Sequence, residues 1–397
     1  MAYFEAMKAQ IKISLIFLTL AASMGLILRL IQSGIPLMNY KYLLHTHSHI
    51  ALIGWVYNGA FIIISNLLGV ENNKVFKRLF WITQFSIIGM LFSFPFQGYG
   101  AISIAFSTLY VFCSYYLIVL MFRHTNDEPK STKSRFLRWG GIYLIVSSIG
   151  PYALGYFMAN DMGDSIWYNL SIYWFLHFLY NGFFVFVVFA HIVNNDLSKG
   201  KSIFLLMNIS LIPLFGISVL WVGPSLFMYL VSGIGAILQV IAFVLLLKSR
   251  SIKFSNSLTG WMLKLSLIAY GLKLVFQLAG STNSVQAFIN NTVPYSVIGF
   301  IHLVMLGFFT LFLLSYFFKN EYIRLNGLSR IGVWLLVTGI ILSEGLLFSK
   351  AIFTQLSIPI LTNFFPILMV VSFLMPIGIL FLTMSSFSLR AVPDRLK

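Results

Sequence analysis

Charge is scarce in this sequence. Asp, Glu, Lys and Arg together make up 9% of its 397 residues, against roughly 25% in a soluble globular domain. Too few charged side chains remain to cover a water-facing surface. Cysteine is reduced to one residue, Cys113, which excludes an intramolecular disulfide, a multi-cysteine zinc site and a cysteine-ligated iron–sulfur cluster. A phosphate-cradling nucleotide loop is absent, and so is any polar stretch long enough to form a water-facing catalytic domain. What the chain has is apolar surface: 59% of residues are hydrophobic, 17% are aromatic and the mean hydropathy is +0.90. Disorder is excluded on the same numbers. The composition predicts an all-α, polytopic membrane protein in contact with the lipid bilayer, built as a single transmembrane domain over 1–397.

A helix needs about 20 apolar residues to cross a bilayer. Twelve such runs are present, at 11–32, 48–69, 79–98, 101–122, 138–158, 169–193, 203–222, 226–247, 259–280, 296–318, 331–349 and 361–386; they are numbered spans 1 to 12. The first is too long for a signal-peptide core and lacks a small-residue cleavage site, so it reads as a retained helix. The basic residues fall on one side of the predicted membrane. Lys8, Lys12, Lys74, Lys77, Arg78, Arg123, Lys130, Lys133, Arg135, Arg138, Lys199, Lys201, Lys248, Arg250, Lys253, Lys319, Arg324, Arg330, Arg390, Arg395 and Lys397 flank the same ends of the spans. Only Arg29, Lys41 and Lys350 flank the opposite ends, and Lys264 and Lys273 lie within span 9. The positive-inside rule then places both termini in the cytoplasm, in a bacterial inner membrane. The net charge of +16 is thereby explained by topology, not by nucleic-acid binding.

Histidines carry the functional signal. His124 and His191 sit at cytoplasmic helix ends and read as interfacial. The other five, His45, His47, His49, His177 and His302, lie toward the outer ends of spans 2, 6 and 10. Three of them open a shared pattern of His, four residues, Gly, aromatic: His49…Gly54-Trp55, His177…Gly182-Phe183 and His302…Gly307-Phe308. The copies are 128 and 125 residues apart, or four spans each time. This predicts three four-helix units around a pseudo-threefold axis: 331–397 with 1–69, then 76–193, then 203–318.

An imidazole in hydrocarbon needs a partner, because an unpaired polar group there costs on the order of a few kcal/mol. A metal centre is one such partner, since neutral imidazole is its commonest protein ligand. His45, His49, His177 and His302 are therefore candidate metal ligands, with His49 foremost on span 2 because it carries the repeat. His45 and His49, four apart, share one helix face, and His47 points away from both. The glycines Gly54 and Gly307 read as clearings for a flat macrocycle. A second reading gives the histidines to hydrogen bonds within the bundle and the glycines to helix contact. Glu344, the one acid within a span, and Lys273 pair with one another or lie on a proton route. Tyr57, Asn58, Tyr180 and Asn181 add hydrogen-bonding capacity beside the histidine layer.

Twelve helices, a threefold four-helix arrangement and outer histidines on spans 2, 6 and 10 resemble subunit I of the haem–copper oxidase superfamily, which includes nitric oxide reductases. They are also similar to NnrS-type haem–copper membrane proteins. The segment Leu44-His-Thr-His-Ser-His-Ile-Ala-Leu-Ile-Gly-Trp55 resembles the haem-ligand region of that family's second helix. The resemblance implies a haem held by His49 or His47 together with His302. It implies Arg29 and Lys350 as propionate partners, and His177 at the position of the first copper ligand. Span 7 lacks the oxidases' His-His pair and span 10 has one histidine where theirs has two. The expected function is thus haem binding, with copper as a further cofactor, in electron transfer, gas sensing or the nitric oxide response. No complete oxygen-reducing binuclear site is expected. A membrane partner subunit supplying electrons and a small gas ligand belong to this picture, and any catalysis would be that of an oxidoreductase. The alternative from another class is a twelve-helix secondary transporter with a histidine-lined substrate or proton site. Transporters break their helices with paired Gly or Pro near the midplane, and here the prolines are scattered.

Overall fold

A computed structural model describes residues 2–193, 198–249, 251–252, 254–359 and 363–387. Arg250, Lys253, Arg390, Arg395 and Lys397, part of the basic count above, lie outside the described residues.

The fold is helical, and twelve of its helices are long and apolar enough to cross a membrane: Met7–Gln32, Tyr40–Leu68, Lys74–Gln97, Ala101–His124, Thr132–Ala159, Ile166–Ile192, Lys199–Val222, Leu226–Lys248, Leu258–Gly280, Tyr295–Lys319, Gly327–Gln355 and Phe364–Phe387. A lipid environment dictates this architecture. Without water to bond them, backbone N–H and C=O groups must be satisfied within each helix. Side chains help at the ends: Asn73 accepts from the Val75 N–H, Ser165 from Tyr168 and Ser257 from Gly260. Asn326 and Ser329 form a reciprocal cap at the start of span 11. Gly69 closes span 2 at φ 65°, a left-handed value that costs glycine little. A short helix, Asn283–Thr292, fills the connection between spans 9 and 10.

Each span packs against the next, and span 12 returns to span 1, so the helices close a ring. Spans 2, 6 and 10 turn inward from that ring. Their apolar side chains Val56, Ala60, Ile63, Phe184, Val187, Val188, Phe309 and Leu313 meet around a cavity of about 10 Å³. The outward faces are apolar and uncovered, with Phe96, Leu226 and Ile212 more than two-thirds exposed, as a lipid-facing surface requires.

The central spans share a departure from α-helical geometry. Each contains one eight-residue π-helical segment, at Ile50–Tyr57, His177–Phe184 and Leu303–Thr310. These segments coincide with the three copies of the sequence repeat: the histidine opens or immediately precedes each, and the glycine and aromatic lie inside. π-Helical turns are rare and concentrate at functional sites.

The repeat glycines serve a common contact. A Cβ on Gly54 would fall 2.9 Å from the Phe17 side chain of span 1. On Gly182 it would fall 2.6 Å from Tyr143 Cβ of span 5, and on Gly307 3.0 Å from Ala269 Cβ of span 9. Of the two readings of these glycines, a clearing for a macrocycle or for a neighbouring helix, the contacts seen are those with helices. The glycines let the inner spans approach their outer neighbours, a general use of small residues between membrane helices.

Candidate functional site

The helix carrying the first three histidines begins at Tyr40, where Asn39 caps it by accepting from the Tyr42 N–H. Helical spacing divides the histidines between two faces. His45 and His49 look toward span 3 and the turn after it. His49 stacks on Phe94 at 4.5 Å and its Nδ1 bonds the His45 carbonyl at 2.8 Å, while His45 meets the Tyr99 ring edge at 4.7 Å. The buried Nε2 of His45 has no hydrogen-bond partner.

His47 looks the other way. Its Nδ1 lies 2.8 Å from the Ala21 carbonyl oxygen of span 1, a distance at which the imidazole N–H donates. Its ring lies over Gly25, where a Cβ would come within 3.1 Å of Cε1. On span 10, His302 Nδ1 is 3.2 Å from Glu344 Oε1 of span 11. Both rings are half-buried, and neither Nε2 is hydrogen-bonded to a described residue.

A polar layer surrounds this pair. Arg29, 9% exposed, donates from Nη1 to Gln32 Oε1 at 3.0 Å, and Gln32 Nε2 donates to the Tyr40 hydroxyl at 3.0 Å. The Glu344 carboxylate acts electrostatically on Arg29 and accepts from the Ser343 hydroxyl at 3.2 Å. Its Oε2 is buried without a partner. The expected Glu344–Lys273 pair does not form, because span 11 presents Glu344 to His302. Lys350 is placed apart, its ammonium 5.4 Å from the Tyr295 ring centroid and 5.1 Å from that of Phe364. Its partners are aromatic faces, a cation–π arrangement.

His177 is built differently. It is 2% exposed. Its Nε2 lies 2.9 Å from the Leu211 carbonyl oxygen, and Asn181 Nδ2 donates to its Nδ1 at 3.2 Å. Both ring nitrogens are consumed by protein groups, so a copper site on His177 does not fit this arrangement. His47 and His302 thus keep Nε2 unbonded to any described residue, while His177 is satisfied by its own bundle. No group of three or more His, Cys, Asp or Glu side chains is arranged to hold a metal ion among the described residues.

A haem makes a smaller demand, two opposed imidazoles. A metal-binding histidine characteristically donates its other ring N–H to a carboxylate or backbone carbonyl, which fixes the tautomer and raises ligand basicity. His47 makes such a bond to the Ala21 carbonyl, whereas His302 Nδ1 lies 3.2 Å from Glu344 Oε1 without a hydrogen bond; neither Nε2 is bonded to a described residue. Arg29 supplies a buried cation nearby. The residues present fit a bis-histidine haem between spans 2 and 10, with His47 rather than His49 on the span-2 side.

Sequence reasoning missed Glu344 as the neighbour of His302, although its position as the one acid inside a span marked it as unusual. It also missed the Arg29–Gln32–Tyr40 chain, which no spacing rule announces. Comparison with known proteins adds no name to this geometry, since no family model and no curated protein matches the chain.

Proposed function

We propose that this chain is a haem-binding integral membrane protein that serves electron transfer, with His47 and His302 as the two axial ligands. The carrying observation is that each imidazole has an oxygen beside Nδ1, the Ala21 carbonyl bonded to His47 at 2.8 Å and Glu344 Oε1 lying 3.2 Å from His302 without a hydrogen bond, while neither Nε2 is bonded to a described residue. When bound, the haem supplies a one-electron redox centre. With both histidines committed to holding it, the haem would serve electron transfer rather than gas binding. Arg29 offsets propionate charge in a setting where an unpaired anion is costly. Glu344, beside His302, would offset positive charge on a bound haem. A membrane-embedded partner is the natural electron donor, since the chain has no water-facing domain.

The same reading carries the architecture. Three equivalent π segments, and three repeat glycines that contact spans 1, 5 and 9, support three four-helix units about a pseudo-threefold axis. The basic residues support cytoplasmic termini in a bacterial inner membrane. The resemblance to haem–copper oxidases and NnrS-type proteins is kept at this level, without a copper site on His177.

Absorbance spectroscopy of the full-length protein, purified in detergent and supplied with haem, tests the assignment. A Soret band and the sharp visible bands of a six-coordinate low-spin haem are expected. They should be lost in His47→Ala and in His302→Ala. A wild-type protein that takes up no haem, or variants with an unaltered spectrum, would overturn it.

A further inference from the structure

We propose that Lys273 and Gln239 form a second intramembrane binding site, for a small monovalent anion. Lys273 lies in span 9 and has no exposure to solvent. An ammonium so placed is costly unless something offsets its charge. Among the described residues no acid pairs with it: Glu344 lies against His302. Its one hydrogen bond runs 3.4 Å from Nζ to Gln239 Oε1 of span 8, at the far limit of such a contact. The ring of Tyr270 lies 5.0 Å away, a cation–π contact that offsets only part of the desolvation. Gln277, one turn on along the same helix face, makes no hydrogen bond to it.

Gln239 supplies an independent observation. It too is fully buried, and its Nε2 has no partner. An amide hydrogen left unmade in this setting is expensive. Gln239 thus turns its oxygen to Lys273 and leaves a donor unspent beside an ammonium that has donors of its own to spare. A donor pair carrying one positive charge and no acid is the recognition chemistry of an anion. The single charge sets the valence, and chloride is the simplest anion of that charge with which to probe the pair. Both nitrogens of His177 are already bonded. The site is separate from the His47–His302 pair, and the proposal does not depend on haem.

Equilibrium binding of radiolabelled chloride to the detergent-purified full-length chain tests it, with nitrate as competitor and gluconate as the ionic-strength control. Measurements on haem-free and haem-supplemented protein keep its outcome separate from that of the haem assignment. One saturable site per chain is expected, retained in Lys273→Arg and abolished in Lys273→Met. Gln239→Leu should weaken the affinity about tenfold, the loss of one hydrogen bond to a charged group. Absence of saturable binding in the wild type overturns the proposal, and so does undiminished binding in Lys273→Met. Should Lys273→Met not yield folded protein, unchanged affinity in Gln239→Leu decides against it equally.

Discussion

Trp55 donates its indole N–H to the Thr310 hydroxyl across 2.9 Å, and so ties the π segment of span 2 to that of span 10. Trp55 is 1% exposed and Thr310 is equally buried. Thr310 passes its own proton to the Met305 carbonyl at 2.8 Å, which lies within the π segment of span 10. The bond therefore couples the two wide turns that follow His49 and His302.

Trp55→Phe and Thr310→Val should each lower stability by roughly 1 kcal/mol, the net worth of a buried neutral hydrogen bond. Packing differences add to the tryptophan change. The double variant should cost less than the sum, with a coupling of about 1 kcal/mol. Denaturant or thermal unfolding of the four proteins in one detergent measures this. Strict additivity would mean the bond contributes nothing to holding spans 2 and 10 together.

The division of the span-2 histidines gives a sharper test. His47 faces span 1 through the Ala21 carbonyl, while His49 lies on Phe94. His49→Ala should therefore retain the low-spin haem spectrum and His47→Ala should lose it, with similar amounts of folded protein recovered from both. The reverse result would assign the ligand to the histidine that carries the sequence repeat and would require the span to sit in another rotation.

The twelve spans were legible because a bilayer demands length and hydropathy, both of which are local properties. Span 2 nonetheless begins at Tyr40, well before the apolar run at 48, because the Asn39 cap and burial of Leu43 and Thr46 extend it through polar residues. The repeat was legible as a pattern, and its coincidence with the π segments gives that pattern a backbone meaning. Which histidine faces which neighbour was not legible, since spacing fixes relative directions on a helix and leaves its absolute rotation to packing. The His302–Glu344 contact joins two spans, and the bond from His177 to the Leu211 carbonyl depends on a backbone group with no sequence signature at all.

The repeat glycines should rank by the stiffness of what they touch. A Cβ at Gly182 meets Tyr143 Cβ at 2.6 Å, tighter than the 2.9 Å at Gly54 or the 3.0 Å at Gly307. Gly182→Ala is expected to destabilise most, by about 1–3 kcal/mol as for other overpacked interiors, because a Cβ cannot swing aside. Gly307→Ala should cost least. Thermal unfolding of the three single variants checks the order, and a Gly307→Ala variant less stable than Gly182→Ala would contradict it.

Glu344→Gln separates orientation from charge at His302. Glutamine keeps an oxygen that can sit beside Nδ1 and removes the negative charge, so haem should still bind with a low-spin spectrum. Loss of an anion beside a ligand imidazole disfavours the more positive ferric state, and hydrogen bonding to the ligand is an established lever on redox potential. The reduction potential of the bound haem should therefore rise, by roughly 59 mV for each tenfold change in relative ferric and ferrous stability. Glu344→Ala removes the oxygen as well and should broaden or lose the low-spin signal. Potentiometric titration of the wild type and both variants distinguishes these outcomes. A potential unmoved in Glu344→Gln would place the carboxylate outside the electrostatic reach of the iron and leave it only a structural part beside His302.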